Sequence, residues 1–123
     1  MFHPYADLIG FEIKRQDPGE SRLELTLRPD LLNPHKVAHG AVYYALADTG
    51  MGAALYPMLD EGESCATINC GISYFKPVST GTLVCLSTVT NKGRSVATME
   101  SELWRDTDLV AKAHGQFSIF KRR

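Results

Sequence analysis

The sequence predicts an α+β fold in which a long antiparallel sheet curls round a single central helix. Three observations carry this. Only the stretch from His39 to about Met58 is long enough and free enough of breakers to form a substantial helix. Two short runs of alternating apolar and polar residues precede it, and four longer β-like runs follow it. One helix cannot cover six flat strands, so the sheet is expected to wrap around it.

In chain order, residues 4–9 fit one helical turn opened by Pro4. Phe11 and Ile13 alternate with Glu12 and Lys14, a short strand ended by Asp17-Pro18-Gly19. Leu23, Leu25 and Leu27 alternate with Arg22, Glu24, Thr26 and Arg28, a second strand, and Pro29 to Pro34 is a loop. In the central helix Val42, Leu46 and Leu55 mark an apolar face. Ala41, Ala45, Ala47, Ala53 and Ala54 keep it slim, so that a sheet can pack close, and Gly50 and Gly52 weaken it locally. After the Asp60-Glu61-Gly62 turn come β-like runs at about 64–76, 82–91, 94–106 and 109–121. They are joined by Pro77–Gly81, Asn91–Gly93 and Asp106–Asp108, connections short enough to predict neighbouring antiparallel strands. The order is β-β-α-β-β-β-β with five to six strands in the sheet, which is the hotdog arrangement.

Composition narrows the function classes. At 123 residues the chain is expected to be one domain, residues 1–123, and 44% hydrophobic with 22% charged residues is ordinary for a globular protein. A net charge of −1 gives no general attraction to nucleic acid or membrane, and Lys121-Arg122-Arg123 is the one dense basic cluster. Cys65, Cys70 and Cys85 have no metal-ligand spacing and cannot all pair, so they read as free thiols of a reducing compartment. The N-terminal MFHPYADLIG lacks the pattern of a signal peptide and no apolar run is long enough to span a bilayer, so a cytoplasmic location is expected.

The chemistry concentrates in NPHKVAHGAVYYALAD, residues 33–48. A helix start offers unpaired backbone N–H groups that can hold a developing negative charge. Gly40 stands at that start and is read as the donor to a substrate carbonyl oxygen, a role compatible with a glycine that also lets elements pack closely. Asp48 lies at mid-helix among alanines, where propensity and desolvation both disfavour it. It is either a buried cap or ion-pair partner, or a catalytic carboxylate. The nearby helix terminus favours the second, as general base on water or as direct nucleophile on an acyl carbon. At 1.5 Å per residue, Gly40 and Asp48 are roughly 12 Å apart along one helix. If both serve one reaction, the carboxylate comes from a second, antiparallel helix, and the site is shared across a two-fold dimer.

The remaining candidates carry less. His39 either caps the helix or polarises a substrate, and capping is favoured. Asn33 is a loop asparagine and Thr67 a strand threonine whose hydroxyl would position water only beside a carboxylate. Tyr43, Tyr44, Met51 and Tyr56 line an aromatic-tolerant pocket or pack a dimer, whereas Tyr74, Trp104 and His114 read as packing residues. There is no phosphate-binding glycine loop, HExxH, CxxC or GxSxG, and no metal site is read.

These residues resemble the PaaI-type acyl-CoA thioesterases of the 4-hydroxybenzoyl-CoA thioesterase superfamily, over nearly the whole chain. Asn33, His39-Gly40 and Asp48 match the spacing N-x-x-G-x-x-H-G-G followed by D, while ATINCGISYFKP (66–77), Lys92-Gly93-Arg94 and AKAHGQFSIF (111–120) fit the later strands. The resemblance implies hydrolysis of an acyl- or aryl-CoA, with Asp48 as the catalytic carboxylate and the Gly40 N–H on the thioester oxygen. It further implies Asn33 orienting the acyl group, Thr67 orienting water and His39 shaping the turn. It implies a homodimer, commonly paired into a homotetramer, and coenzyme A at the subunit interface as part of the substrate, with no other cofactor and no metal. Lys76, Lys92 and Arg94 are the candidates for its phosphates, or else solvated surface charge. Two positions depart from the pattern: Ala41 replaces the second motif glycine, and Lys36 stands where a glycine follows Asn33 by three. The alternatives are a non-catalytic acyl-CoA-binding module and a hotdog hydratase or dehydratase. Asn33-Pro34-His35 fits the hydratase signature poorly, with the histidine one residue early and Leu31 in place of its aspartate.

Overall fold

A computed structural model describes residues 2–123. A short helix α1 (Pro4–Ile9) leads into strands β1 (Phe11–Asp17) and β2 (Glu20–Thr26). Helix α2 (Gly40–Leu55) follows, then β3 (Glu63–Tyr74), β4 (Thr82–Lys92), β5 (Val96–Arg105) and β6 (Asp108–Lys121). Single 3₁₀ turns occupy Pro29–Leu31, inside the expected loop, and Tyr56–Met58, beyond α2. Proline starts α1, the His3 Nδ1 accepts the Ala6 N–H at 3.1 Å, and Gly10 ends the turn with φ +98°.

The six strands form one antiparallel sheet in the order β1-β2-β4-β5-β6-β3, curled round α2. The short connections at Asn91–Gly93 and Asp106–Asp108 do join neighbours. The one at Pro77–Gly81 does not: β3 pairs with β6 at the far edge, three strands from β4. Three interstrand steps amount to about 14 Å, and an extended link of this length reaches that far. Its backbone bonds go to other elements as it crosses. Phe75 and Lys76 donate to the Val110 carbonyl, Ala38 donates to Val78, and Leu27 donates to Gly81. Pro77 has no N–H to give to a hairpin partner.

Helix α2 is enclosed on most sides, with Leu46, Ala47, Met51, Ala54 and Leu55 fully buried. Ser21, Ser87 and Ser101 stand in register on β2, β4 and β5 and face the helix backbone. Ser21 donates to the Gly50 carbonyl at 2.6 Å and Ser101 to Ala47 at 3.2 Å, and Ser87 bonds Ser101 at 2.7 Å. A side chain at Gly50 would put its Cβ 2.5 Å from the Ser87 hydroxyl, so the helix lies on this seam only because residue 50 is glycine. The buried Cys85 donates to Leu46 at 3.4 Å, and its burial pushes the thiol up to about 12.

The C-terminal end of α2 explains its stop. The intrahelical donor for the Ala53 carbonyl would be residue 57, a proline with no N–H. Gln16 fills that role from β1 through Nε2 at 3.0 Å, and Gly19 donates to Ala54 at 2.8 Å. The β1–β2 hairpin therefore caps α2. No helix among the described residues is long and apolar enough to cross a membrane.

Candidate active site

Between the walls of the curled sheet, α2 leaves one stripe uncovered: Tyr44, Asp48, Thr49, Gly52 and Tyr56, spaced at helical intervals. Asp48 is half-buried there, and Thr67 on β3 donates its hydroxyl to Asp48 Oδ1 at 2.7 Å. The next residue, Ile68, forms a bulge against β6 and is 54% exposed. Such a bulge re-aims neighbouring side chains. Asp48 and Thr67 open onto a groove of about 370 Å³, with Ile13 and Gln16 of β1 on one wall, Cys65 and Ala66 of β3 on the other, and Gly52, Ala53, Tyr56 and Phe117 between. Burial, then the nearby Asp48 charge, raises the pKa of the Cys65 and Cys70 thiols. All three cysteines are free.

The other sequence candidates gather at the opposite end of the helix. His39 is the N-cap of α2: its Nδ1 accepts the Ala41 N–H at 3.0 Å and its carbonyl accepts Val42 at 2.9 Å. It shapes the turn. The Gly40 N–H has no acceptor among the described residues. Tyr74, at the end of β3, donates to the Gly40 carbonyl at 2.9 Å, and a Cβ on residue 40 would lie 3.1 Å from that phenol oxygen. Tyr43 is buried with its ring 5.5 Å from that of Tyr74, and Lys76 beside them pairs with Asp108 at 3.0 Å in solvent.

Asn33 holds the loop before the helix. Its Oδ1 accepts the N–H of His35 at 2.8 Å and of Val37 at 3.4 Å, so this oxygen is used for the turn. Lys36 adopts φ +63°, so the loop keeps the left-handed backbone that glycine takes readily, with lysine in its place. Lys92 pairs with Ala97, Ala97 with Phe117 and Phe117 with Thr67, which puts Lys92, and Arg94 in the adjoining turn, at the Asp48 end of the sheet. Lys76 is at the other end. One chain therefore brings together Asp48 and Thr67, and separately Gly40, His39 and Lys76, but it does not join the two groups.

Sequence reasoning missed Tyr74, which binds Gly40 rather than merely packing, and the wall residues Ile13 and Gln16. Ile13 gives only the alternation of a strand, and Gln16 gives no signal of the groove, because the groove is formed by elements distant in sequence. Met51 is fully buried against Phe117 and Met99 and lines no pocket, while Tyr44 and Tyr56 do reach the open stripe.

A family model described as the Thioesterase superfamily matches residues 35–112, more than half the chain and including Gly40, Asp48 and Thr67. The acyl-coenzyme A thioesterase PaaI of Escherichia coli K12 is 27% identical over 99 residues, covering 80% of this chain and 69% of that protein. Among solved structures, the conserved protein PA5202 of Pseudomonas aeruginosa superposes with TM-score 0.90 at 28% identity, covering 98% of this chain and 96% of the other. A mutant form of the phenylacetic acid degradation protein PaaI of Thermus thermophilus gives TM-score 0.88 at 26% identity, covering 94% of this chain and 98% of the other. With the six-stranded sheet wrapped on one helix, these matches place the chain in the Thioesterase superfamily, as a thioester hydrolase of the hotdog fold.

Proposed function

We propose that this enzyme hydrolyses an acyl-CoA thioester at a site built from two copies of the chain. The observation that carries this is the arrangement along β3. One end of the strand holds Asp48 through Thr67, and the other holds Gly40 through Tyr74. The groups they hold, Gly40 and Asp48, lie roughly 12 Å apart along the helix, too far for one substrate carbonyl. β3 is an edge strand, paired only with β6. A second β3 laid antiparallel along that edge brings the Tyr74 end of one chain against the Thr67 end of the other. The Gly40 half-site and Lys76 of one copy then meet Asp48, Lys92 and Arg94 of its partner. The basic side chains, separated in one chain, thereby converge on one coenzyme A.

In this scheme the Gly40 N–H, with the helix dipole behind it, holds the thioester oxygen as negative charge develops on it. Thr67 gives its hydrogen to Asp48 Oδ1 and keeps its oxygen lone pairs for a water. The second carboxylate oxygen takes the proton of that water as it attacks the acyl carbon. The thiolate of coenzyme A leaves and takes that proton from Asp48, which returns to the carboxylate, and the free acid remains. No metal and no further cofactor takes part.

The test is thiol release from short, medium, long and aryl acyl-CoAs, with Asp48→Asn in parallel. The wild type is expected to release thiol from at least one class, and the variant to fall by roughly 10²- to 10⁴-fold. Binding without turnover by the wild type would instead favour the acyl-CoA-binding module. Single turnover in H₂¹⁸O separates the two chemical routes, since direct attack by Asp48 puts the label into the protein.

A further inference from the structure

The groove beside Asp48 is bounded on its β1 side by a contact the proposed chemistry does not use. Gln16 reaches from β1 to the Ala53 carbonyl that Pro57 leaves without a donor, and so fixes a bar across the helix. From Asp48 to that bar is five residues of helix, about 7–8 Å. The lining is mostly small or apolar, with Gly52, Ala53, Ile13, Cys65, Ala66 and Phe117, and Thr49, Tyr56 and His3 add polar groups to it. The groove volume of about 370 Å³ exceeds the roughly 150 Å³ at which an apolar cavity takes up benzene.

Gly52 is the smallest residue of this lining. It lies one turn after Asp48 on the uncovered stripe, and a Cβ there meets only the Phe117 ring, at 3.4 Å. The helix packing does not require glycine at this position, in contrast to Gly50. The missing side chain leaves room in the groove directly beside the carboxylate.

Resting on the function proposed above, we infer that Gly52 is the specificity-determining residue. It opens the groove to a compact acyl group, an aromatic ring or a short branched chain lying between Asp48 and the Gln16 bar, and the bar turns away long straight chains. The acyl group lies over Gly52 with its far end toward Ile13 and Gln16.

The experiment measures kcat/KM for acetyl-, aryl- and long-chain acyl-CoA with the wild type, Gly52→Ala and Gly52→Leu. The wild type is expected to favour the aryl substrate over the long chain by at least tenfold. Gly52→Leu is expected to lower the aryl-to-acetyl ratio at least tenfold and Gly52→Ala by less, mostly through KM for the aryl substrate. Gly52→Ala fits the observed space and so stays informative if the leucine variant unfolds. An unchanged aryl-to-acetyl ratio in every variant that folds overturns the inference, as does a wild type that prefers the long chain. A wild type that releases thiol from no acyl-CoA refutes the underlying function instead, so the two failures are distinct.

Discussion

At the residue scale the proposed chemistry rests on Asp48 and Thr67, and the pair shows what can be read from sequence alone. Asp48 was legible because an acid among helix alanines needs a reason. Thr67 was legible only through the family resemblance, since a strand threonine is unremarkable by itself until the register of β3 and the bulge at Ile68 put it 2.7 Å from the carboxylate. Thr67→Val keeps the shape and removes the hydroxyl. It is expected to lower kcat by about 10- to 100-fold with little change in KM, as a lost water-positioning group does. Steady-state kinetics on the best acyl-CoA checks this. Lys36 carries a separate prediction. A lysine at φ +63° bears the steric cost of the left-handed region, so Lys36→Gly is expected to stabilise the protein by about 1 kcal/mol in spite of glycine's greater freedom when unfolded. Thermal or urea unfolding reads that gain.

At the element scale the slim helix was legible from its alanines, but not what it lies on. Ser21, Ser87 and Ser101 belong to three different strands, and only the pairing register aligns them beneath Ala47 and Gly50. In an open helix Gly→Ala gains up to about 1 kcal/mol. Here Gly50→Ala is expected to destabilise by about 1–3 kcal/mol, because the new Cβ falls 2.5 Å from the buried Ser87 hydroxyl. Gly50→Ala combined with Ser87→Ala is expected to recover part of that loss, and a double-mutant cycle in urea measures the coupling. The capping of Ala53 by Gln16 was hidden for the same reason. Pro57 marks the unfilled carbonyl in the sequence, but nothing local names its donor.

At the scale of the whole molecule the order of elements and the wrapped sheet followed from alternation and from one helix having six strands to cover. The neighbour of β3 did not. A link of Pro77–Gly81 is short enough for a hairpin and long enough to cross three strands, so length alone left the pairing undetermined. That pairing matters for the proposed function, because it makes β3 the edge and puts both proposed half-sites along it, at Thr67 and at Tyr74. The central claim, a site shared by two chains, is tested most directly by subunit complementation. Asp48→Asn removes one half. Gly40→Pro removes the N–H of the other, at a first-turn position preceded by extended backbone (His39 φ −61°, ψ 138°) that suits proline, with the Tyr74 ring shifting slightly from a Cβ 3.1 Å from its hydroxyl. Each variant alone is expected to be nearly inactive. Unfolded and refolded together at equal amounts, they are expected to regain about a quarter of wild-type thiol release, because half the dimers then carry one intact site of two. Mixed dimers that form and regain nothing, while the wild type refolded in the same way is active, would contradict the shared site.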